Sequence, residues 1–166
     1  MKKVLFAILS IFLLFSLSSC ESAKEKDRKI SEALLINDYD KARGLAYDYY
    51  IESDKTKFLA WSMRISEEEN EDYLSNVLVE PGYTWTNDGN YVRAKGKIRN
   101  YGKKTISYFE VTAKFYSNQS GPVIDSDYTN CLQDVGPGER KSFEIFTNAD
   151  PSYKYMGLEV TKVSVK

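Results

Sequence analysis

The sequence has no histidine. That excludes imidazole as a general base, as the activator of a serine or cysteine nucleophile, and as a metal ligand. It has only two cysteines, Cys20 and Cys131, in 166 residues, so a disulfide framework is excluded too. Neither sign of charge is in excess: 23 Lys+Arg stand against 24 Asp+Glu, which gives no bulk attraction to nucleic acid. The longest apolar run, Val4 to Leu17, falls short of the roughly 20 residues that a membrane-spanning helix needs. Aromatic residues, by contrast, are abundant. They make up 14% of the chain and include 13 tyrosines, too many for a disordered protein and in keeping with β-rich or surface-binding ones.

The apolar run "VLFAILSIFLLFSL" follows Lys2 and Lys3. A basic start and a short apolar stretch are the layout of a secretory leader. Leu17 at the third position before Cys20 is unsuited to an ordinary signal-peptidase cut, which takes small residues there. Leu17-Ser18-Ser19-Cys20 instead resembles the bacterial lipobox. The resemblance implies a diacylglyceryl thioether on Cys20 and cleavage before it, which makes residues 1–19 a signal peptide. Two acyl chains anchor a protein stably, because each buried CH₂ contributes about 0.8 kcal/mol and one chain alone is marginal. The expected location is a cell membrane or outer membrane, on the extracytoplasmic side. Glu21 stands where an Asp would mark inner-membrane retention in enteric bacteria, so that rule does not choose between the two. With Cys20 acylated, Cys131 lacks an intrachain partner. No Lys, Arg or helix start in "YTNCLQD" lowers its pKa, so a small buried hydrophobe in a strand is expected rather than a reactive thiol.

Residues 20–29 are charge-rich and expected to form a tether; residues 30–80 are expected to be helical. Ile30, Ala33, Leu34 and Asn37 share one helical face. Asp38 is placed to cap a second helix with the stripe Ala42, Leu45, Ala46, Tyr49 and Tyr50. Ser53 or Asp54 is placed to cap a third, along Phe58, Trp61, Ser62 and Ile65. The acidic run Ser66 to Asp72 is expected to weaken or end it, with a further helical turn over Tyr73 to Leu78. "ALLINDYDKARGLAYDYY" resembles the middle of a tetratricopeptide repeat, with Asn37 where that family usually has Gly. No second repeat is visible, and a solenoid needs about three, so the resemblance reaches a helical hairpin at most. A generic bundle element is the plainer account.

After Pro81-Gly82 the apolar period changes to two. Val92, Ala94, Gly96 and Ile98 alternate with Arg93, Lys95, Lys97 and Arg99. Phe109, Val111, Ala113 and Phe115 form a second series, and Phe143 and Ile145 a third. In "GLEVTKVSV" the inward parity shifts between Val160 and Val163, which predicts a bulge or bend. Turn signals separate these runs, so residues 83–166 are expected to form an antiparallel β-sandwich and the whole chain an α+β fold. Gly96, on an inward position, admits something bulky, Trp85 or a residue of the facing sheet. Asn100 and Gly102 supply turn geometry.

Trp85 to Val165 resembles the FxLYD domain family, an immunoglobulin-like module of bacterial exported proteins. The matching residues are Gly96-x-Ile98-x-Asn100, Val111-x-Ala113-x-Phe115-Tyr116, Gly121 and Gly136-Pro137-Gly138-Glu139. Of the naming motif only Tyr116 is intact; Ala113, Phe115 and Ser117 replace the rest. The resemblance implies an immunoglobulin-like fold and an extracytoplasmic setting. It implies no catalytic activity.

Candidate chemistry is sparse, and no catalytic residues, metal ligands or cofactors are expected. Glu67, Glu68, Glu69, Glu71 and Asp72 could offer oxygen ligands to a divalent cation but lack EF-hand spacing, so a solvated helix end explains them better. Asp125, Asp127 and Asp134 read as turn residues before they read as a calcium loop. The row Arg93, Lys95, Lys97 and Arg99 lies on one strand face, ready for anionic lipid headgroups, wall polymers or an acidic protein patch. Lysines guarding a solvated strand are the plainer account. From Pro81 onward 12 basic residues face 9 acidic ones, whereas residues 20–80 carry 9 basic against 15 acidic. The expected function is non-enzymatic binding or assembly at the cell envelope, with a membrane and an envelope protein as partners and no nucleic acid. A binder of anionic surfaces is the alternative, and a carboxylate-dependent hydrolase comes last.

Overall fold

The computed structural model describes residues 21–166, so the leader and Cys20 lie outside the described residues. The fold is α+β: among the described residues three helices are followed by seven antiparallel strands in two sheets. The described residues divide into two compact units, one ending at Ile65 and the other running from Ser66 to Lys166. Among the described residues no helix is long and apolar enough to cross a membrane.

The first unit is a helical hairpin extended by a third helix. Helix α1 (Ala23–Leu35) starts where the Ser22 side chain accepts from Glu25 N at 3.2 Å. Residues 23–29 are therefore its first turns and not a tether. The charges that suggested a tether instead pair along the helix, Arg28 with both Glu25 and Glu32 at i,i+3 and i,i+4 spacing. Asp38 caps α2 (Tyr39–Tyr50) by accepting from Lys41 N at 3.2 Å, and Asp54 caps α3 (Lys55–Leu74) by accepting from Lys57 N at 3.0 Å. Between α1 and α2, Asn37 takes φ 55°, a left-handed conformation that Asn tolerates, and Asp38 N bonds back to Ala33 O at 2.9 Å. Ile30, Ala33 and Leu34 of α1 are buried with Ala42, Ala46 and Tyr50 of α2 and with Trp61 and Ile65 of α3. The alanines leave room for close helix packing.

One carboxylate ties the three helices together. Asp27 Oδ1 accepts from Tyr50 Oη at 2.8 Å and from Trp61 Nε1 at 2.9 Å, and Oδ2 accepts from Lys57 Nζ at 2.7 Å. Burial opposes ionisation of Asp27, but the hydrogen bonds from Lys57, Trp61 and Tyr50 outweigh it and hold the carboxyl below its ordinary value of 3.8.

Helix α3 does not end in the acidic run. It continues through Ser66–Asp72 to Leu74, and the unit boundary falls within it, after Ile65. Its last turns belong to the second unit, where Glu69 is buried and pairs with Lys104 Nζ at 2.5 Å. The helical segment also stops short of residue 80, because β1 (Val77–Val79) pairs with β3 from Asn100 to Ile98.

The remaining strands are β2 (Thr84–Asn87), β3 (Tyr91–Asn100), β4 (Ile106–Tyr116), β5 (Asp125–Cys131), β6 (Arg140–Asn148) and β7 (Tyr155–Val165). In one sheet β3 pairs with β1 and β2 on one edge and with β6 on the other; the second sheet runs β5-β4-β7. The chain crosses between sheets after β3, β5 and β6, an immunoglobulin-like path. The inward series are buried as their period requires: Val92, Ala94 and Ile98 meet Phe109, Val111, Ala113 and Phe115, with Phe143 and Ile145 beside them. The parity change in β7 is a bulge. Glu110 faces Lys162 and Val111 faces Val160, so Thr161 is the extra residue.

Asn100 does more than shape a turn. It is fully buried, and all its polar groups are matched. Nδ2 donates to Lys104 O at 2.8 Å and to Val135 O at 2.9 Å, and Oδ1 accepts from Gly102 N at 3.0 Å. Its backbone N donates to Glu139 O at 3.0 Å, and its carbonyl accepts from Gly138 N at 2.7 Å. The Tyr73 hydroxyl, from the end of α3, accepts from Lys104 N at 2.8 Å and sets its proton between Lys104 O at 2.8 Å and Asn100 Oδ1 at 3.1 Å. A Cβ at Gly102 would stand 2.1 Å from Tyr73 Oη, so glycine there makes room for the ring.

Two expectations follow. Asn100→Ala strands several buried groups, each costing about 1–3 kcal/mol, and is expected to lower stability by about 3 kcal/mol or more, read from the urea midpoint at unchanged m. For Asp27 the folded pKa lies below the unfolded value, so its contribution is present above pH 3.8 and lost as pH falls through the folded value. Melting of the helical unit is therefore expected to drop more steeply below pH 4 in the native chain than in Asp27→Asn. Parallel pH profiles would exclude that role.

Candidate functional site

The outer face of the β1/β2-β3-β6 sheet carries the basic row. Strand β3 is central, and its register with β6 sets Arg93 opposite Phe146, Lys95 opposite Glu144, Lys97 opposite Ser142 and Arg99 opposite Arg140. On the other edge Thr86 faces Arg93 and Thr84 faces Lys95. The period-two pattern thus brings all four predicted cations onto one face at a spacing of about 7 Å. Arg93, Lys95 and Lys97 are exposed; Arg99 is half-buried.

The row is not uniformly free. Glu144 lies between two of its members, 3.0 Å from Arg93 Nε and 3.6 Å from Lys95 Nζ. Exposed pairs of this kind contribute little to stability, about 0–1 kcal/mol, but they lower the local positive potential. The Arg93 guanidinium also sits over the Phe146 ring at 5.3 Å, and Phe146 stacks on Tyr91 with centroids 4.8 Å apart. Arg140 gives its Nε to both Glu80 oxygens at 2.8 Å. Arg99 faces that committed arginine, lies over Tyr101 at 4.9 Å, and leaves its buried Nε without a hydrogen-bond partner among the described residues. Lys97 makes no ion pair among the described residues.

An open groove of about 690 Å³ crosses this face beside Lys95 and Lys97 and is walled by Glu80, Tyr83, Ser142 and Glu144. It lies where β1 gives way to β2 along β3: Glu80 N still bonds to Lys97 O at 2.8 Å and Thr84 already pairs with Lys95, so Pro81-Gly82 is the insert between them. Gly96 lies at its floor. The residue packed against it is Phe143, its neighbour in the same sheet, together with Tyr83, and neither Trp85 nor a residue of the facing sheet. Glu144, Glu80 and the Tyr91–Phe146 stack were not singled out from the sequence. Their signal was there for Phe146 and Glu144, on the outward positions of "KSFEIF", but pairing them with β3 required the register.

The other candidates disperse. Glu69 is a buried ion-pair partner, and α3 spreads its acidic neighbours around a helix. Asp125 and Asp127 lie in β5 rather than in a loop; Asp125 takes the Tyr153 hydroxyl and, with burial, pushes that phenol up to about 12. Asp134 pairs with Lys166 at 2.5 Å. Among the described residues no group of three or more His, Cys, Asp or Glu is arranged to hold a metal ion. Cys131 ends β5, half-buried and free.

No family model matches this chain, and no curated protein does. Among solved structures it is similar to the Pseudomonas fluorescens alkylpurine DNA glycosylase AlkC bound to DNA containing an abasic site analog, at 10% identity and TM-score 0.36, covering 94% of this chain and 49% of that one. It thus spans about half the glycosylase chain. It is also similar to the Salmonella enterica trimeric lipoprotein SadB, at 12% identity and TM-score 0.26, covering 86% of this chain and 90% of that one. Both scores are too low to carry fold or function across.

Gly96→Ala tests how the groove floor is held. The new Cβ would stand 2.7 Å from Phe143 Cζ, so the ring must leave its buried position. A loss of about 1–3 kcal/mol is expected from the overpacking, and Gly96→Ala with Phe143→Leu is expected to recover part of it in urea unfolding.

Proposed function

We propose that the chain is a lipid-anchored protein of the bacterial cell envelope that works as a non-enzymatic binding or assembly module. The observation that carries this reading is Leu17-Ser18-Ser19-Cys20 at the end of a short apolar leader. The likeness to FxLYD domains adds an extracytoplasmic setting. The outer sheet face supports a binding role, since it sets Arg93, Phe146 and Tyr91 together, and arginine and aromatic side chains are the usual anchors of a protein interface. The membrane through Cys20 and an envelope protein are the proposed partners.

A second reading, a binder of anionic surfaces through Arg93, Lys95, Lys97 and Arg99, is favoured by their common face and by the uncommitted Lys97. A carboxylate-dependent hydrolase is the least favoured of the three, because the sequence has no histidine and no catalytic motif.

Intact mass of the detergent-extracted native protein tests the anchor. Loss of residues 1–19 with a diacylglyceryl adduct is expected, and Cys20→Ser is expected to abolish both; an unmodified soluble chain would remove the anchor. The second reading is tested on anionic liposomes and wall polymer. Lys95→Glu with Lys97→Glu is expected to abolish salt-sensitive binding, whereas Glu144→Gln, which frees two cations, is expected to strengthen it. Binding that ignores both changes would eliminate the basic row as the site.

A further inference from the structure

We propose that the end of the helical unit formed by the start of α1 and the α2–α3 turn is the surface that faces the lipid bilayer, with Tyr47, Tyr49 and Phe58 seated in the headgroup region. This rests on the lipoprotein reading and deepens it. An acylated Cys20 precedes Ala23, the first residue of α1, by three positions, and three Cα steps span at most about 11 Å. The first turn of α1 is therefore held within that distance of the lipid attachment.

The antiparallel path of the helices decides what else lies at that level. Tyr50, at the end of α2, sets its hydroxyl 3.2 Å from Ala23 O and 2.8 Å from Asp27 Oδ1. From the start of α3, Lys57 and Trp61 reach the same Asp27 carboxylate. The end of α2 and the beginning of α3 are thus level with the start of α1.

Aromatic side chains collect there. Tyr47 is 57% exposed and packs edge to face on the half-buried Phe58, with centroids 6.1 Å apart. Tyr49 lies beneath the Lys26 ammonium, 5.3 Å from its ring centroid. Rings with one polar edge, and lysines whose apolar stems run along them, favour the boundary between water and hydrocarbon. Net charge is not the driving force, because Asp27, Asp48, Glu52 and Asp54 offset Lys24, Lys26, Lys55 and Lys57. The seating is accordingly expected to be insensitive to salt. Leu35 and Ile36 are exposed apolar residues as well, but they lie at the opposite end of α1. Thirteen residues of helix put them roughly 20 Å from Ala23.

The test is depth measurement by spin labelling on the acylated protein in vesicles of phosphatidylethanolamine and phosphatidylglycerol. In a Cys131→Ser background a nitroxide is placed at Tyr47→Cys or Leu59→Cys, near the proposed face, and at Leu35→Cys, at the far end. All three positions are largely exposed, and the melting of each labelled protein checks that the fold is retained. Intact mass comes first, because absence of the diacylglyceryl group would mean that the lipoprotein reading has failed and this inference with it. With the mass correct, collisions with a water-soluble nickel chelate are expected to be several-fold rarer at positions 47 and 59 than at position 35, in low and high salt alike. Equal accessibility at the two ends, whether all aqueous or all shielded, would overturn the proposed orientation while leaving the anchor intact.

Discussion

A buried carboxamide is costly unless every donor and acceptor it carries is matched, because the low-polarity interior offers no water to replace a missing partner. Asn100 meets that condition with partners from the 102–104 turn, Val135 and the end of α3, while its backbone bonds to residues 138 and 139. No one of these segments is held in register by strand pairing alone. The carboxamide fixes them against one another, and the reciprocal Ile106–Val135 backbone bonds at 3.1 and 2.9 Å continue the tie into β4. Tyr73 is part of the same network, so the last turn of α3 is as much a component of the sandwich as its strands are.

This constraint propagates to the outer face. Asn100 ends β3, and β3 is the strand that both fills the core with Val92, Ala94 and Ile98 and displays Arg93, Lys95 and Lys97. Fixing one end of β3 fixes the phase of the whole alternation, since a one-residue slip would exchange the two sets. Glu144 and Phe146 then stand opposite the cations by register, not by chance encounter of flexible side chains. The groove beside Lys97 has the same origin, because it opens where the chain passes at Pro81-Gly82 from its β1 pairing with β3 to its β2 pairing.

Local features were legible where a local cause sufficed. Asp38 and Asp54 cap helices because a short carboxylate reaches the free N–H groups of the first turn whatever surrounds it. Thr161 is a bulge because the apolar parity on either side leaves one residue too many. Where a distant residue decided, the local reading failed. Residues 23–29 resemble a tether until Tyr50, Lys57 and Trp61, from two later helices, take up the Asp27 carboxylate. The run from Ser66 to Asp72 looks like a helix end until Lys104, thirty-five residues later, takes up Glu69. Gly96 announces a close approach but not which ring makes it, because Phe143 is brought alongside only by the β3–β6 pairing.

The sequence by itself determined the two-part α+β plan, the burial series of the helices and of β3, β4 and β6, the single face of the cation row and, through its leader, the expectation of an anchored chain. These depend on periodicity and short motifs, which act over a few residues. Tertiary structure alone decided that α3 belongs to both units, that Asn100 joins three segments, that Glu144 tempers the cations, and that the aromatic ends of α2 and α3 lie level with the start of α1. Each of those requires residues far apart in the chain to meet, and no local pattern encodes which of the available partners a folded chain will bring together.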